Sequence, residues 1–377
     1  MTSKYTNMSK KTENFIIDIL ALANIEINGS HPWDLQVHNE KLYKRILSGG
    51  TLAFGESYMD GWWDVPELDQ FFTKVLSARL DKKIRNWKTL GLIIKSKITN
   101  QQNFIRAWKA GRVHYDIGNK LYTRMLDKHM MYSCGYWKNA DTLDQAQIDK
   151  LELCCQKLQL EKGMKVLDIG CGWGGFAKYA AEHYGVEVIG INNSKNQTEL
   201  AQKSCQGLPV TIKFMDYRGL EGQFDRIISI GMIEHVGYKN YKLYMKIVNK
   251  LLKPKGIFLL HTIGGNTSVI ATEPWIEKYI FPNSMIPSAK QITNAYQGIF
   301  VMEDWHNFGP DYAKTLMAWH HNFNKHWDEI KNDYDDRFKR MWTYYLLSCA
   351  GSFRARKNQL WQIVLTKGDI KNYQSIR

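Results

Sequence analysis

The pattern of apolar and polar positions changes about one third of the way along the chain. From about residue 113 onward, short apolar runs alternate with stretches in which apolar residues recur at helical spacing. The runs predict strands at 165–169, 187–191, 210–214, 224–230 and 256–263. The intervening stretches predict helices over 174–184, from about 194, and over 238–252, the last one ended by Pro254-Lys255-Gly256. Strands and helices that alternate at these lengths are typical of a doubly wound parallel sheet.

The earlier part of the chain has a different pattern. Apolar residues at helical spacing predict short helices near 15–22, 42–47 and 71–76. We expect Gly49-Gly50 and Gly55 to interrupt the second of these helices, because glycine is a poor helix former. We therefore predict a small, mainly helical domain over 1–105 and an α/β domain over 106–377.

A glycine-rich run follows the strand predicted at 165–169. Residues 168–174 read Asp-Ile-Gly-Cys-Gly-Trp-Gly and lead into a predicted helix. Such a turn lets a ligand lie against bare backbone at a helix N-terminus. The acid Asp168 comes first, which suits a ligand with a cationic end and differs from the Gly-x-Gly-x-x-Gly of dinucleotide-binding folds. The run resembles the S-adenosylmethionine loop of class I methyltransferases, although a glycine turn can also serve close packing alone.

The residues after the other strands are candidates for the same site, because ligands of open α/β sheets bind beyond the carboxyl ends of the strands. Asn192 and Gln197 follow the second strand and could hold ribose hydroxyls. Asp216 could accept a hydrogen bond from an adenine amine, and Tyr217 could stack on the ring.

Glu234 and His261 follow the fourth and fifth strands, so both should reach the same rim. Together they could bind a small anion or transfer a proton. Taken singly, Glu234 is a favourable charge at a helix start and His261 is a core histidine.

Charge and composition narrow the choice of partners. The net charge is +14, from 51 Lys and Arg against 37 Asp and Glu. This balance favours a polyanion, either nucleic acid or an anionic membrane surface. The basic residues of 79–112 form either a phosphate-attracted connector with apolar anchors or a solvated linker. We expect no apolar span or signal peptide, and six free cysteines without metal-type spacing, as in a reducing cytoplasm.

Several segments resemble the cyclopropane-fatty-acyl-phospholipid synthase family, and the likeness extends from about residue 1 to the C-terminus. The segments are 114–119, 132–137, 166–175, 194–197, 233–237, 259–264, 306–316 and 348–354. Of these, Tyr-Ser-Cys-x-Tyr-Trp and His-Asn-Phe-Gly-x-x-Tyr are more specific than the glycine loop. The resemblance implies a class I methyltransferase fold, with a doubly wound, mostly parallel sheet of seven strands.

The resemblance also implies a reaction and its site. A methylene from S-adenosylmethionine would be added to the cis double bond of an unsaturated acyl chain in a membrane phospholipid, which forms a cyclopropane fatty acid. Bound bicarbonate would be the base, held by Cys134, Glu234, His261, Ile263 and Tyr312. Cys349 is a further candidate, for which the reaction requires no role. The implied cofactor residues are Tyr132, Ser133, Asp168, Gly170, Gly172, Gly174, Asn192, Gln197, Asp216 and Tyr217. Asn192-Asn193 stands where relatives often carry Thr-Leu or Thr-Ile.

The family further implies where the protein works. We expect a cytoplasmic homodimer, peripheral at the inner membrane surface, whose 1–105 domain and basic linker associate with lipid and whose 106–377 domain is catalytic. No metal and no nucleic-acid partner are expected. The alternatives are a lipid C-methyltransferase that gives a methyl-branched product, an RNA methyltransferase, and a non-enzymatic lipid-binding protein.

Overall fold

The computed structural model describes residues 13–80 and 118–377, which form two compact units. Within the described residues, the first unit comprises 13–80, 271–282 and 316–358, and the second comprises 118–270, 283–315 and 359–377. Residues 271–282 and 316–358, which the sequence analysis assigns to the α/β domain, thus cluster with the N-terminal residues. Positions 81–112 of the basic connector and 114–117 of the first family segment lie outside the described residues.

The elements are numbered here in chain order. The helices are α1 (13–21), α2 (Lys41–Met59), α3 (Leu68–Ser77), α4 (Asn119–Met125), α5 (Leu143–Lys157), α6 (Gly175–Tyr184), α7 (Lys195–Ser204), α8 (Tyr241–Leu251), α9 (Pro274–Tyr279), α10 (Ala289–Tyr296), α11 (Pro310–Lys325), α12 (Trp327–Ile330) and α13 (Asp336–Arg354). The strands are β1 (Gln36–Val37), β2 (Trp63–Asp64), β3 (Lys165–Ile169), β4 (Glu187–Asn192), β5 (Val210–Phe214), β6 (Phe224–Ile230), β7 (Leu252–Gly265), β8 (Val301–Asn307) and β9 (Asn358–Thr366).

A seven-stranded sheet organises the second unit. Its strand order is β5-β4-β3-β6-β7-β9-β8. The pairs β3/β4, β4/β5, β3/β6 and β6/β7 are parallel, and β8/β9 is antiparallel. This arrangement confirms the predicted mostly parallel sheet of seven strands. The order reverses beside β3, which is where ligands of such sheets bind.

Two buried clusters lie on the faces of this sheet. On one face, α8 contributes Tyr244, Met245 and Val248, which pack with Leu167. On the other face, helices α5 and α6 pack against Val166. Adjacent residues of β3 therefore point into different cores, as the alternation of side chains along a strand requires.

The start of α8 and the start of β7 differ from the prediction, whereas the end of α8 agrees to one residue. A 3-10 turn at Tyr238–Asn240 precedes the helix, and β7 begins at Leu252, so the helix ends before Pro254. The pairing of β6 with β7 shifts register between Phe224 and Arg226, opposite this proline. Because proline has no N–H to donate to a sheet, an irregularity in the pairing accommodates it within the strand.

The first unit is mainly helical, as predicted, with α13 packed against α2 and α3. Gly50 has a φ of 62° and marks a kink in α2, which agrees with the predicted interruption there. The predicted interruption at Gly55 is wrong, because α2 continues through it. A methyl group at Gly55 would overlap the ring of Trp275, so this glycine permits close packing of α9 on α2.

Candidate functional site

A cleft lies at the carboxyl ends of β3, β4 and β6 in the second unit. Its volume is ≈ 160 Å³, whereas one water needs about 10–15 Å³. All ten predicted cofactor residues except Gly174 line it. The sequence analysis did not single out several further lining residues, among them Trp173, Arg218, Met232 and His235.

The glycine loop forms the floor of this cleft. Gly170, Gly172 and Gly174 have φ values of 85°, 54° and 84°, a backbone region that favours glycine. The N–H groups of Gly170 and Cys171 both donate to the carbonyl of Ile191, each at 3.0 Å, which fixes the loop on β4. A side chain at Gly172 would meet open space, whereas one at Gly170 would crowd Met232. The loop therefore presents bare backbone at Gly172.

Asn192 braces the loop from the end of β4. Its Nδ2 donates to the carbonyl of Gly172 and to Oε1 of Gln197, both at 2.9 Å. Its Oδ1 accepts from the N–H of Ser194 at 3.0 Å. Through these bonds the Asn192 side chain stabilises the shape of the cleft that it lines. Its contact with a ribose remains a prediction.

Asp216 and Tyr217 also have partners within the protein. Both carboxylate oxygens of Asp216 accept from Arg218, at 2.8 and 2.9 Å. Tyr217 is buried and lies edge-on to Tyr244, with ring centroids 5.2 Å apart. The adenine contacts of Asp216 and Tyr217 remain predictions. Arg218 also lines the cleft and holds Asp216 in place.

Ser133 is held by the helix behind it. Nζ of Lys150, on α5, donates to Ser133 Oγ at 2.9 Å, and Nε2 of Gln147 donates to its carbonyl at 2.8 Å. Lys150 is completely buried. The sequence analysis missed both α5 residues, because a polar residue beside an apolar helical stripe usually lies in solvent.

The acid that begins the loop, Asp168, is 2% exposed. Burial raises its pKa to about 7, and the positive charge of Lys150 acts in the opposite direction. A cation in the cleft would favour the ionised form, so Asp168 suits the cationic ligand that the sequence indicates.

Glu234 lies in the 3-10 turn Ile233–His235, after β6. Its Oε1 accepts from the N–H of Ile263 on β7 at 2.8 Å. Among the described residues, its Oε2 has no hydrogen-bond partner, although the atom is buried. Burial raises the pKa of Glu234 to about 7, and the bond from Ile263 opposes this rise.

His261 lies within β7, level with the end of β6, and is 1% exposed. Its Nδ1 lies 3.3 Å from Nε2 of Gln362, on β9, which also lies 3.3 Å from the sulfur of Cys154. If the Gln362 amide donates, the ring proton of neutral His261 is on Nε2, which is buried with no partner among the described residues. Burial lowers the pKa of His261 well below 6.5. Gln362 is another functional candidate that the sequence analysis missed.

Cys134 contacts α11, the helix that also carries Tyr312. The hydroxyl of Thr315 lies 3.9 Å from the sulfur of Cys134 and accepts from the N–H of Gly135 at 3.0 Å. Tyr312 lies one turn earlier on α11 and is buried. Burial raises the pKa of Cys134 well above 9, so the group is a thiol.

Cys349 lies on α13 of the first unit, where burial raises its pKa to about 12. It is thus a thiol, not a reactive thiolate. All six cysteines are free. Within the described ranges, no group of three or more His, Cys, Asp or Glu residues could hold a metal ion.

The two parts of the site are electrostatically linked. The charge of Lys150 affects the pKa of Asp168 in the cleft and of Cys134 and His261 beside it. The cleft offers backbone and a carboxylate to a cationic ligand. Glu234 Oε2 and His261 Nε2 offer an acceptor and a donor, which together fit a protonated oxyanion such as bicarbonate.

Comparison with known proteins identifies the family. The model of the mycolic acid cyclopropane synthetase family matches residues 102–363. The chain is 54% identical over 352 residues to cyclopropane-fatty-acyl-phospholipid synthase of Escherichia coli (strain K12), with 93% of this chain and 92% of that protein covered. The structure of cyclopropane synthase MmaA2 from Mycobacterium tuberculosis is 30% identical, with a TM-score of 0.66, and covers 71% of this chain and 100% of its own.

A second solved relative carries ligands. Mycolic acid cyclopropane synthase CmaA1, crystallised with SAH and CTAB, is 29% identical with a TM-score of 0.64, and covers 69% of this chain and 98% of its own. Residues 102–363, which the family model matches, contain the glycine loop, Glu234 and His261. The chain therefore belongs to the mycolic acid cyclopropane synthetase family and is an S-adenosylmethionine-dependent methyltransferase.

Proposed function

We propose that this enzyme adds a methylene from S-adenosylmethionine to the cis double bond of unsaturated acyl chains in membrane phospholipids, with bound bicarbonate as the base. The observation that carries the proposal is a pair of buried atoms beside the cofactor cleft, Glu234 Oε2 and His261 Nε2, that have no hydrogen-bond partner in the part of the chain that the structure describes. Buried polar atoms almost always have hydrogen-bond partners, so two such atoms, one in the turn after β6 and one on the neighbouring strand β7, support a polar ligand there.

The relatives support the lipid substrate. The Escherichia coli protein, similar over nearly the whole chain, is named for a fatty-acyl phospholipid. The CmaA1 structure contains CTAB, a surfactant with one long alkyl chain. A site in this family that takes an alkyl chain is consistent with an acyl substrate for this enzyme.

The proposed chemistry assigns a task to each part of the site. S-adenosylmethionine supplies an electrophilic methyl carbon, and bicarbonate supplies a base that removes a proton from it. Asp168 and the glycine loop hold the cationic cofactor, which positions the methyl group. Glu234 Oε2 would accept from the bicarbonate hydroxyl, while His261 Nε2 and the Tyr312 hydroxyl would donate to its oxygens.

Aromatic side chains lie next to His261. Phe308 lies edge-on to His261, with ring centroids 6.0 Å apart, and Tyr136 lies edge-on to Phe308 at 5.3 Å. Ring faces stabilise a positive charge where water is excluded. We propose that such rings protect the cation that methyl transfer leaves on the acyl chain.

Product analysis with labelled S-adenosylmethionine tests the reaction. The enzyme is incubated with vesicles of an unsaturated phospholipid, and the fatty acids are analysed by mass spectrometry. We expect label in cyclopropane fatty acids, at a rate that falls when bicarbonate is removed and returns when it is added. Label in methyl-branched acids would show that the enzyme catalyses C-methylation and not cyclopropanation. Label in added RNA, or no transfer to lipid, would reject the proposal.

We also propose that the N-terminal domain over 1–105 brings the enzyme to the cytoplasmic face of the inner membrane. Its helix α1 exposes Phe15, Ile17 and, just beyond its end, Leu22, at 45%, 40% and 57%. No helix in the described parts of the chain has the length and apolar character needed to cross a bilayer. Apolar side chains on a basic protein suit an anionic bilayer surface.

We further propose a homodimer, which analytical ultracentrifugation tests directly.

Vesicle binding should depend on both salt and α1. Binding to anionic vesicles should weaken as salt rises, because exposed charges are screened over about 8 Å at physiological ionic strength. Replacement of both Phe15 and Leu22 by Ser should weaken binding at least about tenfold, since burying each side chain contributes roughly 1.5–3 kcal/mol. Vesicle sedimentation measures both effects. Leu243→Ser, at a residue of the second unit that is 48% exposed, is the matched control. Salt-insensitive binding that both variants retain would contradict the proposal.

A further inference from the structure

Lys150 is a buried cation with no assigned role. It lies on α5 with no exposed surface. Ser133 Oγ, at 2.9 Å, accepts one hydrogen bond from its ammonium group. Burying an ammonium group in a protein is costly unless opposite charges and hydrogen bonds compensate for the lost water. The groups around Lys150 therefore indicate the function of its positive charge.

Ionisable groups face Lys150 from several elements. They are Cys154 on its own helix, Asp127, His129 and Cys134 between α4 and α5, Asp168 at β3, and His261 at β7. The two cysteines are thiols because burial raises their pKa, and His261 is neutral because burial lowers its pKa. The carboxyl groups of Asp127 and Asp168 thus remain as the acidic partners.

The two carboxyl groups differ in how they are bound. Asp127 accepts from the N–H groups of His129 and Met131, at 2.8 and 2.9 Å, and so shapes the loop that leads to Tyr132 and Ser133. Asp168 lines the cofactor cleft. Burial raises the pKa of its carboxyl group, and the positive charge of Lys150 lowers it. Lys150 thus acts on both walls of the cleft at once.

We propose that Lys150 is a positioning residue for the cofactor: its ammonium group fixes Ser133 by a hydrogen bond and supplies the counter-charge for Asp168. The inference rests on the proposed role of Asp168 in binding the cationic end of S-adenosylmethionine. It does not depend on the lipid substrate or on bicarbonate. Lys150 touches no reacting atom and acts through two residues that line the cleft.

The test is the pH dependence of S-adenosylmethionine affinity, measured by calorimetry without lipid between about pH 6 and pH 8.5. In the unaltered enzyme, affinity should fall as the pH drops through about 7, because Asp168 becomes protonated. In Lys150→Met the midpoint should rise by about one pH unit, with binding about fivefold weaker at pH 7 and nearly restored at pH 8.5. A loss by the same factor at every pH would show a merely structural role and overturn the proposal, as would unchanged affinity.

Further variants separate charge, hydrogen bond and folding. Lys150→Arg keeps the charge, and Ser133→Ala removes only the hydrogen bond, so both should keep the midpoint even if affinity falls. Lys157→Met is the matched control, because Lys157 is equally buried on α5 but pairs with Asp304 at 3.3 Å. Its midpoint should not move, and a shift equal to that of Lys150→Met would overturn the proposal. Asp168→Asn should abolish the pH dependence. If it does not, the proposed role of Asp168 fails, independently of where Lys150 acts.

Discussion

Glu234→Gln should lower turnover about 10²- to 10⁴-fold, the range expected when a group required for proton transfer is lost. The amide still accepts from the Ile263 N–H, but a neutral amide is a weaker acceptor than a carboxylate for a bicarbonate hydroxyl. Affinity for S-adenosylmethionine should change far less, because Glu234 does not line the cofactor cleft. Steady-state kinetics with unsaturated vesicles and calorimetry with the cofactor measure the two quantities separately.

The stability of this variant provides the control for folding. The pKa of Glu234 is raised to about 7 in the folded state, so the folded protein binds a proton that the unfolded chain releases. Folding stability from this group is therefore greatest at low pH and declines as the pH rises between about 4.5 and 7. Above that window, burial of the ionised carboxylate costs on the order of 3 kcal/mol, which glutamine avoids. Glu234→Gln should thus melt no lower than the unaltered enzyme at pH 8.

A second acidic variant completes the comparison. Glu187→Gln changes an exposed residue at the amino end of β4, far along the strand from the cleft, and should leave turnover unchanged. A large loss of cofactor affinity in Glu234→Gln, with little loss of turnover at saturating cofactor, would remove Glu234 from the anion site.

His261→Ala should lower turnover about 10- to 100-fold, because a hydrogen bond to a charged group contributes roughly 1.5–3 kcal/mol. The loss should appear mainly as weaker activation by bicarbonate, because Nε2 is the atom proposed to donate to the anion. Burial lowers the pKa of His261 well below 6.5, so the ring is neutral at physiological pH. The unaltered enzyme should therefore show no kinetic inflection from His261 near pH 6.5. At saturating cofactor, where Asp168 is ionised, an acid limb of turnover nearer pH 7 should disappear in Glu234→Gln.

Bicarbonate titration of turnover measures the His261 effect. His321→Ala, at an exposed histidine of α11, is the matched control and should keep the bicarbonate dependence of the unaltered enzyme. His261→Gln offers an amide donor on a side chain of similar reach and should recover part of the loss. Equal bicarbonate dependence in His261→Ala and the unaltered enzyme would show that the histidine serves the core and not the anion.

Much of the site was predictable because it follows local rules. Apolar runs bounded by turn residues located β3, β5 and β6 to the residue. Glycines at alternate positions after β3 predicted a turn with bare backbone, and these glycines have positive φ values in the structure. The rule that parallel strands share a carboxyl edge predicted that Glu234 and His261 reach the same rim. The pairing of Ile230, the last residue of β6, with His261 agrees with this prediction.

Other features had no local signal. Proline and glycine predicted breaks at Pro254 and Gly55, where a register shift in the sheet and packing against Trp275 proved stronger. Arg218 occupies both oxygens of Asp216, although either residue alone looks available for a ligand. In each case a partner brought close by folding outweighs the intrinsic preference of the residue.

The sequence alone determined the class of fold, the cofactor loop and the membership of a lipid-modifying family, because periodicity and motif spacing are written in neighbouring residues. Only the tertiary structure decided which polar groups are buried and against what. Lys150 on α5 reaches Ser133, 17 residues earlier in the chain, and Gln362 on β9 reaches His261, 101 residues earlier. Their roles depend on lost water and on distances across the core, and those quantities exist only once the chain has folded.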